Sequence, residues 1–123
     1  MSVASILRNL LARPYAKVPA RQAADLMRRG AILLDVREGH EWQAGHAPGA
    51  RHIPLGRLAE RKSELPDGRP VITVCRSGMR SAKAAALLTR DGREVHNLTG
   101  GMHAWARAGL PVIAKGGVPG RVA

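Results

Sequence analysis

A chain of 123 residues, 45% of them hydrophobic, has room for one domain around one core and excludes a second. Its formal net charge of +11 admits nucleic acid, a membrane surface or a small anion as partner. No nucleic-acid partner is expected, because there is no dense basic run and only two Trp and one Tyr to stack on bases; the single cysteine excludes an internal disulfide and fits a reducing, cytoplasmic setting.

Near the N-terminus, Ile6, Leu7, Leu10 and Leu11 share one helical face that Arg8 interrupts. The stretch is shorter than the about 20 apolar residues of a membrane span and lacks the unbroken core of a signal peptide. It is expected to pack on the domain as a helix ended by Pro14, with no membrane partner. Val18-Pro19 reads as an edge strand, and Ala20 to Arg29 as a helix stopped by a left-handed Gly30. Ala31 to Leu34 reads as a strand buried on both faces, closing in Asp35-Val36-Arg37-Glu38. Glu38 to Ala44 then forms a short helix stopped by Gly45, His46 to Ala50 a turn, and His52-Ile53-Pro54 a brief strand. Leu55 to Leu65 reads as a helix ended by Pro66-Asp67-Gly68. Val71 to Val74 is an apolar, β-branched strand. Past the residues that follow it, Ser81 to about Arg90 is rich in helix formers, and Asp91-Gly92 turns the chain. Glu94 to Leu98 is the last clear strand, and Gly100-Gly101 opens a helix that runs to Gly109. Leu110-Pro111-Val112 ends the packed part, and the glycine-rich tail from Lys115 reads as loose. Strands alternating with helices over short connections imply an α/β fold, a small parallel sheet of about five strands with helices on both faces.

The informative stretch is Cys75-Arg76-Ser77-Gly78-Met79-Arg80-Ser81. A lone cysteine is usually a small buried hydrophobe, but this one has Arg, Ser and Gly for neighbours, poor company for a core position. It sits where a strand ends and a helix begins, next to unpaired N–H groups and the positive end of a helix dipole. Gly78 permits a tight loop with inward amides, and Arg76 and Arg80 add positive charge, so the thiol is expected to ionise easily. Ligands of open parallel sheets bind outside the carboxyl ends of the strands. Cys75 and Asp35-Val36-Arg37 both follow such ends and should lie on the same side. His40, His52, His96 and His103 have no metal-ligand spacing, and His46 reads as a hydrogen-bonded turn residue. No metal or cofactor is expected.

The loop resembles the active-site loop of rhodanese-type sulfurtransferases. Leu34-Asp35-Val36-Arg37-Glu38, Glu41-Trp42 and Gly45-His46-Ala47-Pro48-Gly49-Ala50 are similar to that family's N-terminal signature, with Ala47 where the family has Ile. Gly100-Gly101-Met102-His103-Ala104-Trp105 with Gly109-Leu110-Pro111 is similar to its C-terminal one. The resemblance implies a rhodanese-like domain over residues 18–113, with an N-terminal helical extension at 1–17 and a loose tail at 114–123. It implies Cys75 as the nucleophile that accepts sulfur, and the loop from Arg76 through Ser77, Gly78, Met79 and Arg80 to Ser81 as the cradle of a persulfide. Arg76 and Arg80 would favour anionic donors, while Asp35 and Arg37 would support the loop from beneath. The implied donor is a small anion such as thiosulfate. Since no second cysteine can resolve the persulfide, the implied acceptor is an external thiol, cyanide or a thioredoxin-like protein. A persulfide carrier serving a partner protein is an open alternative, with a non-catalytic interaction module behind it. A cysteine phosphatase fits less well, because Arg80 stands one place short of where such loops need their phosphate-gripping arginine.

Overall fold

Every residue of strands Ile32–Asp35 (β2) and Val71–Val74 (β4) is buried, as strands covered on both faces require. In the computed structural model, which describes residues 15–123, they are neighbours in a five-stranded, all-parallel sheet. Its order is β1-β5-β4-β2-β3, with Ala16–Val18 as β1, Arg51–His52 as β3 and Val95–Leu98 as β5. The helices are α1 (Ala20–Arg28), α2 (Gly39–Ala44), α3 (Leu55–Arg61), α4 (Met79–Thr89) and α5 (Gly101–Arg107). This is the expected α/β architecture. Because β1 begins at Ala16, already paired with His96, the domain starts earlier than the expected Val18. The rest of the proposed N-terminal helix lies outside the described residues.

Side chains alternate across the sheet, and this decides what meets what. Ile32, Leu34, Val36, Val71, Cys75 and Val95 face one core, closed by Leu58 of α3 and by Ala84, Ala85 and Leu88 of α4. Leu33, Ile72, Val74 and Leu98 face the other, closed by Ala20 and Ala23 of α1 and by Met102 and Trp105 of α5. The order in which strands are added reverses between β2 and β4, though the two run parallel: β2 leads outward to β3, while β4 leads to β5 on the opposite side. The crevice at that reversal lies at the carboxyl ends of both strands. Val36 N–H donates to Val74 O there at 3.0 Å, bringing the two stretches to one end of the sheet as expected.

One expectation is corrected. Residues 114–123 do not form a loose tail. Ala114 N–H donates to Val118 O at 2.8 Å, Gly120 N–H to Val112 O at 2.9 Å and Arg121 N–H to Ala44 O at 2.9 Å, and Val122 packs on the second core. Gly45 ends α2 as expected, but with an extended φ of 172°. It is glycine because the tail crosses it backbone to backbone, so that a Cβ would run into Arg121 N at 2.6 Å. Among the described residues no helix is long and apolar enough to cross a membrane.

Candidate active site

Cys75 leaves the central strand β4 and begins a loop that ends in the first turn of α4. Its side chain is 1% exposed. The Gly78 amide donates to Cys75 Sγ at 3.0 Å and the Ser81 hydroxyl lies 3.3 Å from it. Gly78, at φ 123°, occupies a backbone region that L side chains rarely adopt, and this bends the loop back over the sulfur. Burial pushes the thiol pKa up. The Ser81 hydroxyl and the amides of Ser81, Gly78 and Ser77 act against burial and together outweigh it, leaving the thiol below its ordinary value. A sulfur anion is therefore favoured there by hydrogen bonds, and not mainly by the arginines that the sequence singled out.

The inward amides are set from outside the loop. Met102 N–H of α5 donates to Cys75 O at 2.8 Å and His103 N–H to Arg76 O at 3.2 Å. Across a trans peptide the following N–H points the opposite way, so pinning these carbonyls on α5 turns the Arg76 and Ser77 amides toward the pocket. Gly101 makes that contact possible: at φ 59°, any Cβ would sit 2.5 Å from both carbonyl oxygens.

The charged residues divide unexpectedly. Arg80 turns to Glu41 of α2 in a two-pronged pair, Nη1 to Oε1 at 2.6 Å and Nη2 to Oε2 at 2.9 Å. The Arg80 hydrogen bond, opposed by burial and helped by the Glu38 amide, lowers the Glu41 pKa to about 2. Arg80 is thereby committed to fastening α4 to α2. Arg76 is exposed, and its side chain has no hydrogen-bond or ionic partner among the described residues. Met79 is 79% exposed at the rim. A cleft of about 300 Å³ opens beside the loop, lined by Tyr15, Lys17, Ser77, Met79, Asn97 and Thr99 among others and by no carboxylate.

A family model described as "Rhodanese-like domain" matches residues 19–108. The chain belongs to the rhodanese-like domain family. Among relatives of the rhodanese-like domain, a protein named sulfurtransferase from Allochromatium vinosum is 44% identical over 87 residues, covering 70% of this chain and 81% of that one. Thiosulfate sulfurtransferase GlpE of Haemophilus influenzae is 30% identical over 100 residues, covering 80% and 95%. Uncharacterized protein YqhL of Bacillus subtilis is 45% identical over 78 residues, covering 63% of this chain; the chain spans only 62% of YqhL's length. The match spans 42% of an HTH-type transcriptional regulator, Rv0324, of Mycobacterium tuberculosis. A rhodanese-related protein of Thermoplasma volcanium superposes with a TM-score of 0.77 at 28% identity, covering 82% of this chain and all of that one.

Within the rhodanese-like domain, Cys75, Ser77, Gly78 and Ser81 come together around the sulfur, while Arg76 and Met79 stand on the rim. Asp35 and Arg37 do not bond the loop. They point to the opposite face of the sheet from the Cys75 side chain, since alternation sends Asp35 with Val74. There they form a pair that is 0% exposed, Nη2 to Oδ2 at 2.7 Å, and Arg37 Nη2 also donates to Gly45 O at 2.7 Å. Their support is of the β2–α2 connection and reaches the loop only through α2. The residue that reaches the loop directly is Glu41, and the capping box it forms with Glu38 was the signal that could have marked it as fixed in place. Thr73 and Asn97 were also missed. Each reads as an ordinary strand position, yet Thr73 Oγ1 lies 3.0 Å from Ser81 O and Asn97 Nδ2 donates to Gly78 O at 3.2 Å. His46 does bond its turn, Nδ1 donating to Trp42 O at 2.8 Å.

Proposed function

We propose that this protein is a sulfurtransferase that moves a sulfane sulfur from a small anionic donor such as thiosulfate to an external thiophilic acceptor through a persulfide on Cys75. The observation that carries the reading is the Cys75 sulfur, held by the Gly78 amide and the Ser81 hydroxyl at the carboxyl end of the central strand, with its pKa lowered. The names of the relatives give the same class of chemistry.

In the first half-reaction the Cys75 thiolate attacks the outer sulfur of thiosulfate. A new S–S bond forms, the bond to the sulfonate sulfur breaks, and sulfite leaves with its electron pair. The terminal sulfur of the persulfide then occupies the field of the Ser77 and Gly78 amides, with Arg76 at the rim drawing in the dianion. In the second half-reaction a thiolate or cyanide attacks that terminal sulfur and Cys75 leaves as thiolate. The chain has one cysteine, so the acceptor comes from outside and the cycle is ping-pong. Arg80 supports this reading over phosphate chemistry, because a guanidinium held by both oxygens of Glu41 is not available to grip two phosphate oxygens.

Intact-mass measurement after incubation with thiosulfate tests the proposal. Wild type should gain the mass of one sulfur atom and lose it on adding cyanide or a thiol, and Cys75→Ser should gain nothing while keeping its circular dichroism spectrum. No adduct on wild type, or an adduct that survives Cys75→Ser, would overturn it.

A further inference from the structure

We propose that Asn97 is a positioning residue for Cys75: by occupying the Gly78 carbonyl it leaves the Ser81 hydroxyl free to donate to the sulfur. The inference deepens the sulfur-transfer reading and rests on it, since the hydrogen bonds of Cys75 matter to the chemistry only where the thiolate reacts.

Ser81 has one hydroxyl proton and two acceptors within reach, Cys75 Sγ at 3.3 Å and Gly78 O at 3.2 Å. A carbonyl oxygen has two lone pairs. Gly78 O already accepts from Ala82 N–H at 3.1 Å, the first helical bond of α4, and from Asn97 Nδ2 at 3.2 Å. With both lone pairs engaged, the better acceptor left for Ser81 is the sulfur, above all when it is charged. That donation is the strongest of the hydrogen bonds holding the thiol pKa down.

Asn97 is 7% exposed and its orientation is determined. Gly78 O can only accept, so the amide nitrogen must face it. The amide oxygen then lies 3.3 Å from Thr73 Oγ1, whose single proton also has Ser81 O within reach at 3.0 Å. Thr73 and Asn97 are partners in the β4–β5 register, both on the face toward α4, so the pair spans the floor beneath the loop. The charged and titratable groups near the loop are Arg76, Tyr15, Lys17 of β1, His103 of α5, and Arg80 with its partner Glu41. None of them bonds Asn97, Thr73 or Ser81 among the described residues.

The test is the rate of iodoacetamide alkylation of Cys75 against pH, read by intact mass, in wild type, Asn97→Leu, Ser81→Ala and the double variant. Asn97→Leu should raise the midpoint by about one pH unit, about tenfold less thiolate at a pH below the midpoint. Ser81→Ala should raise it at least as much, and adding Asn97→Leu to Ser81→Ala should raise it no further. A folded Asn97→Leu with the wild-type midpoint overturns the proposal, as does an equal rise in both backgrounds, which would mean that Asn97 acts without Ser81. If Asn97→Leu does not fold, Asn97→Ala decides. It too removes the donor to Gly78 O, and an unmoved midpoint overturns the proposal. Sulfur loading from thiosulfate is measured on the same samples. Midpoints that move as expected in a protein that never loads sulfur would sink the transfer reading and leave the role of Asn97 standing.

Discussion

Replacing Glu41 by Gln should remove a specific, pH-dependent part of this protein's stability. In the folded protein the Glu41 pKa is lowered from 4.5 to about 2, chiefly by its hydrogen bonds to Arg80. A lowered carboxylate pKa stabilises the folded state fully above the unfolded value, and that stability drains away as pH falls through the folded value. The window is therefore from about pH 5 down to about pH 2. At about 1.4 kcal/mol per unit the shift corresponds to about 3 kcal/mol. The Arg80 side chain is 35% exposed, so solvent screening brings the expectation to about 2 kcal/mol. Urea unfolding of wild type and Glu41→Gln between pH 7 and pH 2.5 measures it. At pH 7 the variant should unfold at about 1 M lower urea, given slopes of about 1–3 kcal/mol per molar for small domains. The gap should close as the pH falls below about 4. Two curves that stay parallel across that range would show that Glu41 is not linked to folding through Arg80.

Arg37→Ala strands a carboxylate in a site that is 0% exposed and should cost about 3–5 kcal/mol in urea unfolding. In a variant that still folds, the alkylation midpoint of Cys75 should stay put, because Arg37 lies across the sheet; a raised midpoint would restore it as a direct support of the loop. Gly101→Ala drives a methyl into the Cys75 and Arg76 carbonyls and should cost about 2–4 kcal/mol from overpacking and a left-handed backbone together. It should also raise the Cys75 midpoint, and wild-type stability would refute the backbone contact. Arg76→Ala should raise KM for thiosulfate several-fold more than KM for an uncharged sulfur donor, and equal effects would remove its charge from donor selection.

The fold and the identity of the loop were legible in the residues themselves. Ala31 to Leu34 and Val71 to Val74 are apolar runs that only a two-sided parallel strand buries, and a cysteine amid Arg, Ser and Gly at a strand-to-helix junction is out of place in a core. These are local signals, carried by composition and period within a few residues. Partner choice is not local. Arg80 reads as a site cation until α2 brings Glu41 to it from 39 positions away. Asp35 and Arg37 read as loop supports until the pleat turns them to the far face. The tail reads as loose until it crosses Gly45, with no room for a side chain between them. Thr73 and Asn97 carry no signal at all in sequence, because a polar side chain in a strand acquires its meaning from the register that sets it beside another. A hydrogen bond or ion pair depends on positions good to a few tenths of an ångström between segments far apart in the chain, and only the packed sheet and its helices set those distances.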